Sequence, residues 1–173
     1  MLSGTTCGFS FPKELSKRVL TTFSSQASSL IHEVFFFKKK QLSSREREDF
    51  IEIFYFLLII KAIALIDPDH IAFVSKDGLD TAVSSCADLY FCLKQFFSPK
   101  TELAQEDRDF LLWLLYGPIL LLRERAIHKE DITRSAHVME TFQKGMSQGA
   151  ERFAKGFKEL FGDFLFPSVE IDD

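Results

Sequence analysis

His137 and Glu140 stand three residues apart, a spacing that puts an imidazole and a carboxylate on one face of a helix. A di-metal site in a helical bundle needs a second such pair and further inward carboxylates. The chain supplies neither: Glu102 and Glu106 fall at the start of an acidic segment, and His32 and Glu33 are adjacent, hence on different faces. The three cysteines, Cys7, Cys86 and Cys92, form no zinc-type pair, and there is no HExxH motif. Asp67, Asp69 and Asp77 resemble part of a calcium loop, but Ile71 stands where a further oxygen ligand is required. No GxSxG elbow, Walker A loop or GxGxxG turn occurs, and Ser84 and Ser85 lie inside a helical pattern as filler. The expectation is a protein with no catalytic residues, no metal and no cofactor.

The elements that would position any site read as helices throughout. Residues 12–40 carry an apolar stripe at steps of three and four (Leu15, Val19, Phe23, Ala27, Leu30, Val34, Phe37), with Pro12 suited to a first helical position. A second helix starts at Ser43, where Glu46 three residues later completes a capping box. Its body, Phe50 to Ile66, is apolar except for Glu52 and Lys61. Asp67-Pro68 reads as the start of a short helix reaching about Ser75, closed by Asp77-Gly78. Leu79, Val83, Cys86, Tyr90, Leu93 and Phe97 set the stripe of a helix over 79–97. The next, 102–127, is acidic at its start and basic at its end, as the helix dipole favours. It is uninterruptedly apolar from Phe110 to Leu122, with a kink or break expected at Gly117-Pro118.

The last helix spans 129–161, with a seam of alternating four- and three-residue steps from Ile132 to Leu160. It would be about 50 Å long in a domain about 40 Å across, so it must protrude, pair with another chain, or bend near Gly145 or Gly149. Gly145, Gly149 and Gly156 would let a partner helix come close.

The predicted fold is all-α: one domain over 1–173, a bundle of five to seven helices with two apolar central helices, the leader 1–10 and the acidic tail 167–173 being peripheral. Length supports one core without disulfides or metals, and the scarcity of glycine (8) and proline (5) favours long regular elements over turn-rich strands. Phenylalanine is the compositional outlier, at 20 residues. The net charge of −4 argues against nucleic acid, and the single basic run, Lys38 to Lys40, sits where a helix end welcomes cations. An odd cysteine count implies a reducing compartment, with Cys86 and Cys92 about 9 Å apart along one helix and so too far to bridge. The expected location is cytoplasmic, the alternative being export without a cleaved signal peptide.

Both apolar runs fall short of the roughly 20 residues a membrane span needs and read as buried struts. The function expected is therefore a non-enzymatic helical interaction protein, of adaptor or effector type, acting on a protein partner through a helical surface or groove. The candidate interaction face is on helix 129–161, formed by Met139, Gln143, Met146, Ala150, Phe153, Phe157 and Leu160, and three roles are open to it: docking on the chain's own core, self-association into a homodimer, or contact with a lipid surface. Phe-x-Phe-Pro occurs twice, and resembles a short docking motif of kinase substrates. Its phenylalanines, Phe9, Phe11, Phe164 and Phe166, read as aromatic anchors tying the termini to the core. Two alternatives stand beside this reading: a lipid or apolar-ligand binder with an internal cavity, and a helical protein that inserts conditionally into a membrane.

Overall fold

The computed structural model describes residues 17–74, 81–97, 103–123 and 129–162. They form five helices and no strand: α1 Lys17–Val34, α2 Ser44–Ile66, α3 Thr81–Phe97, α4 Gln105–Arg123 and α5 Lys129–Phe161. The hub is α5, which packs on α1, α2 and α3; α1 also packs on α2, and α4 rests on α3.

Local chemistry sets several helix ends. Ser43 accepts the Glu46 amide through Oγ while the Glu46 carboxylate accepts the Ser43 amide, the reciprocal capping box read from the sequence. At the other end of α2, Asp67 turns left-handed (φ 48°) and donates its amide to the Ile63 carbonyl. Asp67 thus ends α2 instead of starting a short helix, and residues 67–74 are non-helical. An Asp-Pro step suits both roles, because the residue before proline avoids the helical region.

The first helix ends at Val34, before the expected Lys40. Phe37 and Lys38 take positive φ (50° and 56°), and the Lys38 amide reaches back to the His32 carbonyl. Left-handed backbone at residues other than glycine costs about 1 kcal/mol or more each. The turn offsets that cost by swinging Phe35 and Phe36 into the core, leaving Phe37, the residue of the predicted stripe, exposed. The basic run therefore follows the helix, with Lys38 paired to Glu33 and Lys39 to Glu46.

The core is an aromatic cluster around α5. Phe142 and Phe153 are fully buried, their centroids 5.8 Å apart edge to face, and Phe35 of the α1–α2 turn packs on both at 5.0 and 5.5 Å. The glycines of α5 explain this closeness. A β-carbon at Gly145 would sit 2.1 Å from Phe35 Cδ1, and one at Gly156 would sit 2.4 Å from Leu30 Cδ1. The close neighbours they admit are thus α1 and the turn after it, in the same chain. Gly149, at φ −136° and ψ 19°, breaks the helical geometry and lets α5 bend around the core, the third of the three outcomes its length allowed.

Two further expectations on burial change. In α3 the buried side chains are Ala82, Ser84, Ala87, Phe91, Cys92 and Gln95, while Val83, Cys86, Tyr90 and Leu93 of the predicted stripe are half-buried. The helix is wedged between α4 and α5, so small residues mark its closest approach and the larger ones lie off that line. In α4 the expected burial on every face is not found, and the helix lies at the edge of the bundle. It also continues through Gly117-Pro118 without the anticipated break, although the proline leaves the Leu114 carbonyl without its helical donor.

Candidate interaction surface

The inner side of α4 is a single line, Leu111, Leu115 and Ile119, at four-residue steps. Its N-terminus is fastened to α3: Asp107 accepts from the Tyr90 hydroxyl at 2.7 Å and pairs with Lys94 at 2.8 Å. Lys94 first, then Tyr90, hold the Asp107 carboxyl below the usual carboxylate range. The Tyr90 ring meets Phe110 edge-on at 4.9 Å, and Phe110 stacks on Trp113 at 5.9 Å. The indole lies back over Gly117, where a β-carbon would come 3.0 Å from Nε1.

Leu114 lies half-buried beside that line, against the core. Phe110, Leu112, Trp113, Tyr116, Leu120 and Leu121 are between 36% and 75% exposed, a run of large apolar side chains along one helix. Scattered single exposures are ordinary, whereas a contiguous patch rich in aromatics is the composition of interface cores. None of the described helices is long and apolar enough to cross a membrane.

The polar groups between α2, α3 and α5 form a second feature. Thr141 donates to Asp49 at 2.7 Å, and Ser135 donates to Asp88 at 3.2 Å, leaving the other Asp88 oxygen, Oδ1, buried without a partner. Arg134 spans Glu52 at 3.7 Å and Asp131 at 3.0 Å. Burial is the main cause pushing the Asp88 carboxyl up to about 7, despite the Ser135 hydrogen bond, and burial likewise raises Asp49 and Glu52. Asp88, Glu52 and Cys92 border a recess of about 50 Å³, room for roughly one or two waters. Burial raises the thiols of Cys86 and Cys92 as well, keeping both protonated and poorly nucleophilic.

Lys61, which interrupts the apolar run of α2, donates to the Leu160 carbonyl at 2.8 Å and lies 5.5 Å from the Phe161 centroid. An ammonium there complements the C-terminal end of α5. Open grooves also lie among the described residues. One of about 440 Å³ runs between α1 and α5, past Glu33, Arg152, Lys155 and Glu159; another of about 420 Å³ is bordered by Glu48, Lys129, Glu130 and His137. Both mix charges of either sign.

The residues singled out from the sequence are placed as follows. Phe153 and Phe157 are fully buried, Met146 and Leu160 nearly so, and Met139, Gln143 and Ala150 are half-buried against the chain's own core. The seam is occupied within the chain because α1, α2 and α3 converge on it. His137 and Glu140 diverge in role: His137 lies close enough to Asp49 to favour its charge, and Glu140 pairs with Arg45 at 3.0 Å. Among the described residues no three His, Cys, Asp or Glu side chains gather as a metal site would need. Phe9, Phe11, Phe164 and Phe166 lie outside the described residues.

Sequence reasoning took the α4 face for core, since an unbroken apolar run has no visible outer side. The signals for exposure were the tryptophan and tyrosine within it, side chains suited to interfaces. Asp88 passed unremarked, although a carboxylate amid the apolar positions of α3 was its signal. No protein-family model, curated protein or solved structure matches the chain.

Proposed function

We infer that the protein is a non-enzymatic helical interaction module whose binding face is the outer side of α4. One observation carries the reading: six large apolar side chains lie exposed on a helix whose inner line is already packed on the bundle. The face is preorganised, since Trp113 is held between Phe110 and Gly117 and the helix is anchored through Asp107, so little ordering entropy opposes docking. The α5 seam, spent on the core, serves as the scaffold.

The test is site-specific crosslinking in the producing cell. A photoreactive benzoyl-phenylalanine replacing Leu120 is compared with the same group replacing the exposed Lys144 of α5. Discrete protein adducts from position 120 and not from 144 are expected. An absence of adducts at 120, or the same adducts from both positions, overturns the reading.

A further inference from the structure

The exposed face of α4 has a symmetry of its own. Tyr116 sits at its middle, with Leu112 four residues before and Leu120 four residues after. Asp109 stands seven residues before, and the helix closes on Arg123 seven residues after. Seven residues are close to two helical turns, so positions 109, 116 and 123 share a face with 112 and 120. The sequence of this face reads acidic, leucine, tyrosine, leucine, basic.

We propose that the occupant of this face is a second copy of the same chain, bound as an antiparallel α4–α4 pair on a two-fold axis through Tyr116. Resting on the α4 reading above, this names the partner. An antiparallel pair brings each residue opposite the one equally far from the axis. Leu112 of one copy then meets Leu120 of the other. By register, acidic position 109 falls opposite basic position 123 at both ends of the contact. A parallel pair would set like charges side by side. The two helix dipoles also oppose in the antiparallel arrangement, each acidic N-terminal turn lying beside a basic C-terminal one. In the free chain Asp109 accepts only an exposed hydrogen bond from Gln105 at 2.8 Å among the hydrogen bonds described for it, so its engagement in the pair breaks nothing buried.

Half-exposed aromatic and leucine side chains leave roughly 100 Å² each, so Leu112, Trp113, Tyr116 and Leu120, the four on this side of the helix, offer about 800 Å² over two copies, the size of a weak, reversible contact. A two-fold contact of this kind is closed, and growth stops at the dimer.

The decisive experiment is sedimentation of the full chain, read together with the fluorescence of Trp113, the single tryptophan in the sequence. The wild type is expected to sediment at twice the mass of the chain, with Trp113 emission moving to the blue as concentration rises. Leu112→Glu and Leu120→Glu should each give monomers of unchanged helicity. Asp109→Arg and Arg123→Asp should each weaken the dimer about tenfold, and the double swap should recover most of that loss. A monomeric wild type overturns the proposal. So does a dimer that survives Leu120→Glu, which must use another face, and so does a double swap no better than its singles, which denies the antiparallel register. The crosslinking test separates this failure from failure of the wider reading: adducts from position 120 that contain a different protein leave α4 as the binding face and remove the second copy as its occupant.

Discussion

Helices α4 and α5 invert the usual relation between composition and burial. α5 has charged residues along its whole length, yet it carries the core: Phe142, Phe153 and Phe157 are fully buried. α4 has no charge from Phe110 to Leu122, yet six large apolar side chains of that run are exposed. What separates them is how many neighbours each acquires. α5 is covered by α1, α2 and α3, and its glycines let Phe35 and Leu30 come down onto its backbone. α4 packs mainly on α3 and can bury only one line. Apolar content sets how much a helix could bury; the number of partners sets how much it does.

Substitutions on the two helices should therefore differ sharply. The largest effect is expected for Phe153→Ala, which opens a cavity where Phe35, Phe96, Phe142 and Phe157 converge. A loss of about 3–5 kcal/mol in urea unfolding is expected, and a loss below 1 kcal/mol would refute a core centred on α5. Next comes the carboxyl that α3 turns toward α5. Asp88 titrates near 7 when folded and near the ordinary carboxylate value when unfolded. The unfolded chain then loses its proton first as pH rises, so stability falls between about pH 4 and pH 7 and levels off above. Asp88→Asn should remove that contribution, gaining on the order of 4 kcal/mol at pH 8 and almost nothing near pH 4. A gap between wild type and variant that is constant across that range would show that Asp88 does not hold its proton.

A smaller loss follows from crowding the α5 backbone. Gly145→Ala must displace the Phe35 ring, which costs about 2 kcal/mol by the usual range for overpacking. Phe35→Leu in the same background should recover part of it. Smallest of all is Leu120→Glu on α4. In solution dilute enough to be monomeric it should change stability by less than about 0.5 kcal/mol, as for other surface sites. A loss of several kcal/mol would mean that the face is covered within the chain, making α4 the equal of α5.

Much of the fold is legible one helix at a time. Ser43 and Glu46 announce the start of α2 because a capping box needs only residues three apart, and the 129–161 pattern matches the bounds of α5. The site is less legible. The stripe of α3 is displaced, and the seam from Met139 to Leu160 reads equally well as a surface for another chain or as the inside of this one. Periodicity marks a face without naming what meets it.

Local chemistry in the sequence thus determined the all-helical class and the capped start of α2, since each depends on neighbours within a turn or two. Only the tertiary structure decided that Gly145 and Gly156 receive Phe35 and Leu30, that α5 bends at Gly149, that Asp67 ends a helix, that one Asp88 oxygen is buried without a partner, and that α4 wears an apolar face outward. Those outcomes turn on which distant segments arrive first at a limited interior. A helix buries what its neighbours can cover, and α4 has fewer neighbours than faces.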